Sequence, residues 1–259
     1  MIIILSPAKS LNFETQVPVQ QHTIPQFMSQ ARKVMSQLSK ATPAQLMKLM
    51  DISDKLAELN YQRHIQWQAD AQPGIARQAI YAYDGDVYDG LQAYTLDQEQ
   101  IDRAQRSIRI LSGLYGVLRP LDLIMPYRLE MGTALKVGKA ANLYKFWGTE
   151  VFKFLNAELE MHDTKVIVNL ASTEYSKAAL LPKMKNRVVT PIFKEIKGNK
   201  PQVVSFFAKK ARGQMARFAI LNELSDVEQL KNFDTDGYAF NQTLSNQNEW
   251  VFTRVSMNT

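Results

Sequence analysis

The chain of 259 residues has an ordinary globular composition, with 46% hydrophobic and 22% charged residues, which argues against wholesale disorder. It contains no cysteine, and this excludes disulfides, iron–sulfur clusters, thiolate zinc sites and thiol-based peroxide sensing. The formal net charge is +6, and the positive charge is concentrated between Ser176 and Arg217, where 11 Lys and Arg residues are accompanied by one acid, Glu195.

The first part of the chain predicts one strand followed by helices. Residues 1–5 (MIIIL) form an aliphatic run that is typical of a buried internal strand, and Ser6-Pro7 ends it. Residues 25–38 carry apolar side chains at helical spacing. Thr42-Pro43 then predicts an N-cap with proline at the first helical position, and a further helical pattern follows the break at residues 51–53.

The remaining segments alternate between strand and helix patterns. They are a strand at 80–83, a strand at 107–111, an amphipathic helix at 143–161, a buried strand at 165–170, a hairpin of 187–193 with 201–207, a helix from about Lys209 and a last strand at 250–255. No repeat or long linker divides the chain. We therefore predict a single α/β domain over residues 1–259, of mixed α+β type, with a mixed sheet flanked by helices.

The sequence also predicts where the protein is found. Its longest apolar runs are too short to cross a bilayer. The first residues lack the basic lead segment of a secretory signal, and Pro7 and Lys9 interrupt the apolar stretch. We expect a cytoplasmic protein that does not partner a membrane; the sequence does not indicate its oligomeric state.

The loop of residues 6–10 (SPAKS) is the first candidate site. Polar loops at the carboxyl ends of strands are where open α/β sheets bind ligands. The hydroxyl of Ser6 and the ammonium of Lys9 are suited to holding a phosphate. The loop lacks the glycines of a P-loop, so it is not a Walker site, and an ordinary turn with a solvated lysine is the alternative.

The segment of residues 126–132 (PYRLEMG) is the second candidate site. If it is extended, Arg128 and Glu130 lie on the same side and Leu129 on the other. Glu130 is then suited to act as an acid or base whose pKa Arg128 controls, and the alternative is a structural ion pair.

The third candidate site follows a predicted buried strand. Asn169 closes the strand, and Ser172 stands where it would cap the next helix. A helix N-terminus beside a strand end also attracts anions. Glu174 and Tyr175 fall in the first helical turn, where the helix dipole alone favours Glu. Structural and functional interpretations both remain open here.

The fourth candidate site is a basic helix. Lys209 and Arg212 are three residues apart, and Lys210 and Arg217 are seven apart, so a helix would carry them on one broad face. Attraction to phosphates is the natural use of such a face, and a solvated surface is the alternative.

Other site types lack support in the sequence. Residues 84–95 start like a calcium loop, but residue 95 is Thr where the loop needs Glu. His22, His64 and His162 lack the spacing of metal ligands. We therefore predict no metal site and no cofactor.

The same motifs carry a resemblance to a known family. They are ILSPAK at 4–9, ISDKLA at 52–57, LSGLYGVLRPLD at 111–122, PYRLEMG at 126–132, NLAS at 169–172 and FAKKARG at 207–213. Together, and in this order, they resemble the bacterial YaaA family of peroxide-stress-response proteins along essentially the whole chain.

The resemblance implies a function and an architecture. YaaA proteins are associated with survival of peroxide, through less unincorporated iron and less oxidative damage to DNA and protein. They look like DNA-binding proteins with an unusual α/β topology, a basic cleft and a helix-hairpin-helix-like element. In this chain, that element best matches residues 42–63, although the glycines of a typical hairpin are missing.

Two functional hypotheses follow. In the first, the protein binds DNA by its backbone or structure rather than its sequence, through phosphate contacts from Ser6, Lys9, Lys183, Lys185, Lys209, Lys210, Arg212 and Arg217. In the second, it is an enzyme acting on a nucleotide, nucleoside or other phosphorylated small molecule, and the candidate catalytic residues are Lys9, Arg128, Glu130 and Glu174. The second hypothesis gains support if Glu130 lies within about 5 Å of Arg128 and Lys9 in a pocket. Whether the protein is an enzyme stays open at this point.

Overall fold

The fold of residues 1–198 and 200–255, which the computed structural model describes, alternates helices and strands. The strands are β1 (Ile2–Leu5), β2 (Ser10–Leu11), β3 (Arg77–Gln78), β4 (Tyr83–Asp84), β5 (Ile108–Ser112), β6 (Gly116–Leu118), β7 (Leu123–Ile124), β8 (Val166–Asn169), β9 (Arg187–Lys197), β10 (Lys200–Gln202), β11 (Ala239–Phe240) and β12 (Glu249–Val255). The α-helices are α1 (Met28–Leu38), α2 (Pro43–Met50), α3 (Asp54–Gln66), α4 (Ala79–Ala82), α5 (Asp86–Leu91), α6 (Gln98–Ser107), α7 (Leu143–Trp147), α8 (Glu150–Glu160), α9 (Thr173–Ala178) and α10 (Ser205–Leu221).

The main sheet contains eight of these strands in the order β11-β12-β9-β8-β1-β5-β6, with β10 paired to β9. The strands from β12 to β5 run parallel to their neighbours, and β6, β10 and β11 pair antiparallel. Helices flank this sheet, as parallel strands require. The predicted mixed α/β class is confirmed.

Strand β1 lies inside the sheet because both of its faces are apolar. Ile3 pairs with Ile108 of β5 on one side and with Val168 of β8 on the other. The side chains of β1 are at most 1% exposed. Since Ile4 is in register with Asn169, the chain leaves β1 and β8 at neighbouring points. The loops that follow these two strands therefore meet at the carboxyl edge of the sheet.

Helices α5 and α10 cross with their backbones in contact. A β-carbon on Gly213 would lie 1.7 Å from the carbonyl oxygen of Val87, and one on Gly90 would lie 2.1 Å from that of Lys210. Only glycine permits this approach. The crossing holds the first half of α10 against the loop that precedes α5, at the same edge of the sheet as the loops after β1 and β8.

The helices predicted between residues 42 and 63 are present as α2 and α3. Thr42 caps α2 in a reciprocal capping box with Gln45, and Pro43 opens the helix. Asp51 ends α2 in the left-handed conformation, and Ser53 caps α3. The match to a helix-hairpin-helix that contacts DNA stays a prediction. None of the helices in residues 1–198 and 200–255 is both long and apolar enough to span a bilayer.

Three local predictions were wrong. The predicted strand at 80–83 is mainly helix α4, because a fully buried apolar run does not reveal its period. The predicted helix at 143–161 is two helices, since Gly148 has a φ of +51° and ends α7. The second arm of the predicted hairpin stops at Gln202, and α10 begins at Ser205 rather than near Lys209. The helix therefore includes Phe206 and Phe207, whose β-propensity had favoured a strand.

Candidate functional site

A cleft of about 360 Å³ lies at the carboxyl edge of the sheet, where the loops after β1 and β8 meet α5 and α10. Its size falls in the range of about 300–1,000 Å³ usual for small-molecule sites. We call it the central cleft and define it by its lining, which is residues 6–10, 84–88 and 127–130 with Ser172, Glu174, Tyr175, Lys209 and Arg212. Seven predicted site residues therefore share one cavity with Ser172, and they are Ser6, Lys9, Arg128, Glu130, Glu174, Lys209 and Arg212.

Glu130 joins two cations in the central cleft. Its carboxylate lies 3.0 Å from Nζ of Lys9 and 3.2 Å from Nη2 of Arg128. The Lys9 side chain is 63% exposed, whereas those of Glu130 and Arg128 are 27% and 15% exposed. Arg128 and Glu130 thus lie on one side, as predicted, although residues 126–132 form no regular strand. All three groups satisfy the distance criterion stated above.

Arg212 contributes a guanidinium that has no partner. Among the residues that the structure describes, its side chain makes neither a salt bridge nor a hydrogen bond, and burial lowers its pKa. A guanidinium nevertheless stays charged at any physiological pH. Nε of Arg128 is likewise buried without a partner in the described part of the chain. The cleft therefore contains donors that the protein itself leaves unused.

Lys209 lies beside Arg212 but is paired. Its Nζ is 3.5 Å from Oδ2 of Asp86, at the start of α5. The glycine-mediated crossing of α5 and α10 brings these two residues together. Asp86 was not predicted as a site residue because the sequence there reads only as an incomplete calcium loop.

The start of α9 supplies Ser172 and Glu174. Ser172 occupies the N-cap position, but its side chain makes no capping bond. Its N–H donates to Oγ of Ser6 at 2.8 Å, and this contact joins the loops after β8 and β1. Oε1 of Glu174 accepts from the N–H of Gly132 at 2.8 Å, which anchors the segment that carries Arg128 and Glu130. Both acidic candidates are thus fixed by backbone or ionic contacts.

Tyr88 and Tyr127, which were not among the predicted site residues, form the inner wall of the central cleft. Tyr88 donates to the carbonyl oxygen of Ser6 at 3.1 Å. The hydroxyl of Tyr127 lies 2.6 Å from that of Tyr83 and 2.7 Å from Oγ of Ser112. These contacts join residues far apart in the chain, so spacing gave no signal for them. A sequence signal did exist in the position of Tyr127, next to Arg128 within a candidate motif.

The charges of the central cleft are balanced. Its basic side chains are Lys9, Arg128, Lys209 and Arg212, and its acidic ones are Asp84, Asp86, Glu130 and Glu174. A surface that only attracts phosphates needs no carboxylates of this number. The cleft is therefore equipped both to hold an anion and to move protons.

The other predicted phosphate-binding residues lie elsewhere. Lys210 faces Asp236, with 3.7 Å between the charged atoms. Arg217 donates to the carbonyl oxygens of Leu91 and Gln92 at 3.1 Å each, and so holds the end of α5. The predicted basic face of α10 is thus divided among several partners.

Lys183 and Lys185 line a different cavity, which we call the basic groove. It is an open groove of about 910 Å³ lined by Asn169, Thr173, Ser176, Lys177, Arg187, Thr190, Gln247, Asn248, Glu249 and residues 180–186 and 188. Glu249 is its only acidic lining residue. Asn169 belongs here rather than in the central cleft, and its Nδ2 donates to Oγ1 of Thr190 at 3.3 Å.

Within 1–198 and 200–255, no three His, Asp or Glu side chains are grouped so that they could hold an ion.

Comparison with known proteins identifies the family. The family model described as "Peroxide stress protein YaaA" matches residues 1–244. The chain belongs to the YaaA family of peroxide-stress proteins. A UPF0246 protein of Hahella chejuensis is 51% identical over 254 residues, which cover 98% of this chain and 99% of that protein. A UPF0246 protein of Aliivibrio fischeri strain MJ11 is 47% identical over 258 residues, covering both chains fully.

The family therefore extends over both cavities of this YaaA protein. The match to residues 1–244 includes every lining residue of the central cleft and all but the last few of the basic groove. The resemblance inferred from the motifs is confirmed at the level of the family.

Proposed function

We propose that this YaaA-family protein is an enzyme that acts on a phosphorylated small molecule of nucleotide size in the central cleft. The observation that carries the proposal is the unpartnered Arg212 guanidinium beside the cluster of Lys9, Glu130 and Arg128. This is the second of the two hypotheses drawn from the sequence, and its distance criterion is met.

The energetics of charge burial support a ligand at Arg212. The Arg212 side chain is half-buried, so its charge is partly desolvated, and the cost of that desolvation falls when an anion arrives. Phosphate oxygens match the planar fork of a guanidinium and accept two parallel hydrogen bonds. Nε of Arg128 offers a further unused donor. An anionic ligand would satisfy groups that the protein leaves unsatisfied.

The carboxylates support chemistry as well as binding. Glu130 forms ion pairs with Lys9 and Arg128, the cations that would attract a phosphate. An arriving ligand therefore competes with Glu130 for Lys9. Once released from one cation, Glu130 is a base within reach of the bound molecule. Glu174, which also lines the cleft, provides a second carboxylate.

The test is calorimetric titration of the protein with the four deoxynucleoside 5′-monophosphates. Arg212→Gln removes the free guanidinium and should weaken the binding of at least one of them tenfold or more, as expected for a charge-assisted hydrogen bond. Arg32→Gln on the exposed side of α1 is the matched control and should bind like the wild type. Equal binding by all three proteins, or none by the wild type, would sink the proposal.

DNA binding is a second candidate, and the basic groove favours it. Lys183 and Lys185 are exposed there, close to Lys177 and Arg187, with one lining acid. Such an excess of cations suits backbone phosphates rather than base edges. The lower iron and the reduced damage to DNA and protein that the family resemblance implies stay predictions under either candidate.

A fluorescent duplex titrated at several salt concentrations separates the candidates. If the groove binds DNA, Lys183→Glu with Lys185→Glu should lower the affinity and reduce the salt slope by about 2, since each phosphate contact contributes about 0.9. Lys210→Glu with Arg212→Glu tests α10 in the same way. An unchanged slope in both double variants would argue against DNA binding at these residues.

A further inference from the structure

Three buried hydroxyl groups meet at the inner wall of the central cleft. The Tyr127 hydroxyl lies 2.6 Å from that of Tyr83 and 2.7 Å from Oγ of Ser112. Ser112 is 0% exposed, and Tyr83 and Tyr127 are 3% and 4% exposed. Tyr127 is the member of this trio that lines the cleft.

The protons of the trio can be counted. Three hydroxyls carry three protons, and the two contacts between them use two. Oγ of Ser112 also accepts the N–H of Tyr115 at 3.0 Å. In the part of the chain that the structure describes, neither the Ser112 nor the Tyr83 hydroxyl has another partner within 3.5 Å, although Ser112 also lowers the pKa of Tyr83.

The pKa effects within the trio indicate the direction of the hydrogen bonds. Both neighbours act to lower the pKa of Tyr127, as donors to its oxygen do, and Tyr127 acts to raise the pKa of Tyr83, as an acceptor of its proton does. If Tyr127 donated to Tyr83, the proton of Tyr83 would be buried without an acceptor. If Tyr127 donated to Ser112, the same would hold for the proton of Ser112. Buried donors are rarely left unpaired because the lost hydrogen bond is costly. The satisfied arrangement has Tyr83 and Ser112 both donating to Tyr127, whose own proton is then free for the cleft.

We infer that Tyr127 donates a hydrogen bond to a neutral acceptor of the ligand in the central cleft, such as a nucleobase carbonyl oxygen or ring nitrogen. The inference rests on the proposed function and names the part of the ligand that lies away from the phosphate. Phosphate belongs with Lys9, Arg128 and Arg212, whereas Tyr127 has Tyr88 and Tyr175 as its neighbours in the lining.

The surroundings of Tyr127 suit a donor. Burial raises its pKa to about 12, while the hydrogen bonds with Ser112 and Tyr83 act to lower it. Burial raises the pKa of Tyr83 well above its usual value. Two donors to the Tyr127 oxygen polarise its O–H bond, which strengthens the hydrogen bond that it gives.

Tyr127→Phe and Tyr83→Phe are a matched pair of variants for the test. Each removes one buried hydroxyl, but only the first removes the hydroxyl of a residue that lines the cleft. Calorimetry with the deoxynucleoside monophosphates should show about tenfold weaker binding for Tyr127→Phe and less than threefold for Tyr83→Phe. Both variants should bind inorganic phosphate like the wild type, and thermal unfolding checks that both are folded.

Each outcome decides the question. If Tyr127→Phe binds nucleotides like the wild type, the inference fails and the proposed function stands. If it loses inorganic phosphate as well, the cleft has collapsed and a specific role for the hydroxyl is overturned. If the wild type binds no nucleotide, both the function and the inference fail.

A second measurement avoids substitution altogether. In protein labelled with [¹³Cζ]tyrosine, the Tyr127 resonance should shift when a nucleotide binds and stay in place with inorganic phosphate. A resonance that moves with neither ligand would contradict the inference even if the variants were unstable.

Discussion

In the proposed function, Glu130 is the residue at which ligand binding and acid–base chemistry meet in the central cleft. Its carboxylate neutralises Lys9 and Arg128 while no ligand is bound, at 3.0 and 3.2 Å. It therefore acts as a resident anion that any phosphate must compete with. The same contacts hold Lys9 and Arg128 in place, so the cleft is arranged before the ligand arrives.

Replacing Glu130 by glutamine should separate these roles. Glu130→Gln keeps the shape but removes the competing charge, so inorganic phosphate should bind about two- to tenfold more tightly. Turnover of a nucleotide substrate should be lost, because no base remains at this position. Calorimetry measures the first effect, and Glu150→Gln on the surface of α8 is the control. A lower phosphate affinity would contradict the role of resident anion.

His64 makes the stability of the fold depend on pH. It is 2% exposed, and burial lowers its pKa to about 4, against a smaller raising effect of the Arg128 backbone. In the unfolded chain, the pKa of His64 is near 6.5. Between about pH 4 and pH 6.5, His64 therefore binds a proton in the unfolded chain but not in the folded chain. Stability is therefore complete above about pH 6.5 and is lost as the pH falls toward 4.

The pH dependence can be measured by urea unfolding at pH 7, 5.5 and 4. The free energy of unfolding of the wild type should fall on the order of 3 kcal/mol further over this range than that of His64→Leu, which cannot titrate there. Parallel pH profiles for the two proteins would show that His64 has the same pKa in the folded and the unfolded chain.

At the scale of elements, the crossing of α5 and α10 determines where the cations of the cleft lie. Its two glycines allow the backbones to touch, and Lys209 and Arg212 stand on the adjoining turn of α10. A wider crossing would carry both side chains away from the loops after β1 and β8. The packing of two helices is thus part of the site.

Gly213→Ala tests this coupling. Its new β-carbon would lie 1.7 Å from the carbonyl oxygen of Val87, so the helices must separate. We expect a loss of about 3 kcal/mol in unfolding free energy and a parallel loss of nucleotide affinity. Ser36→Ala on the exposed face of α1 should change stability by less than about 0.5 kcal/mol. Full stability together with full affinity in Gly213→Ala would refute the coupling.

The sequence predicts single elements well, but it does not predict how distant elements pack against one another. β1, β5, β8 and β12 were predicted nearly to the residue. β1, β5 and β8 are short runs dominated by Ile, Leu and Val in a parallel sheet, whereas β12 is rich in aromatic and β-branched residues. The motif at the end of β1 gave Ser6 and Lys9, and the alternation in residues 126–132 gave Glu130 beside Arg128. The pairing of Asp86 with Lys209 and the hydroxyl trio were out of reach, because each depends on how distant segments pack. Local spacing contains no information on that packing.

At the scale of the whole molecule, the central cleft is lined by five segments that are spread along the chain from Ser6 to Arg212. A ligand that contacts all of them binds only the folded chain. By mass action, it must then stabilise the entire fold rather than one element. Binding can therefore be detected through global unfolding even before any reaction is known.

Thermal unfolding with a deoxynucleoside monophosphate at about 100 times its dissociation constant should show this effect. The expected stabilisation is about 2.7 kcal/mol, or roughly 5–10 °C in the midpoint for a chain of this size. Arg212→Gln should lose most of the shift at the same ligand concentration. A shift that persists unchanged in this variant would place the ligand elsewhere.

The position of β12 has a consequence for synthesis of the chain. β12 pairs with β9 from Thr190 to Ile196, so β9 has an open edge until β12 has left the ribosome. An open strand edge invites pairing with other chains. Nascent or truncated molecules that lack residues from Glu249 onward should therefore aggregate through β9. In the cell, such molecules would depend on chaperones that shield this edge.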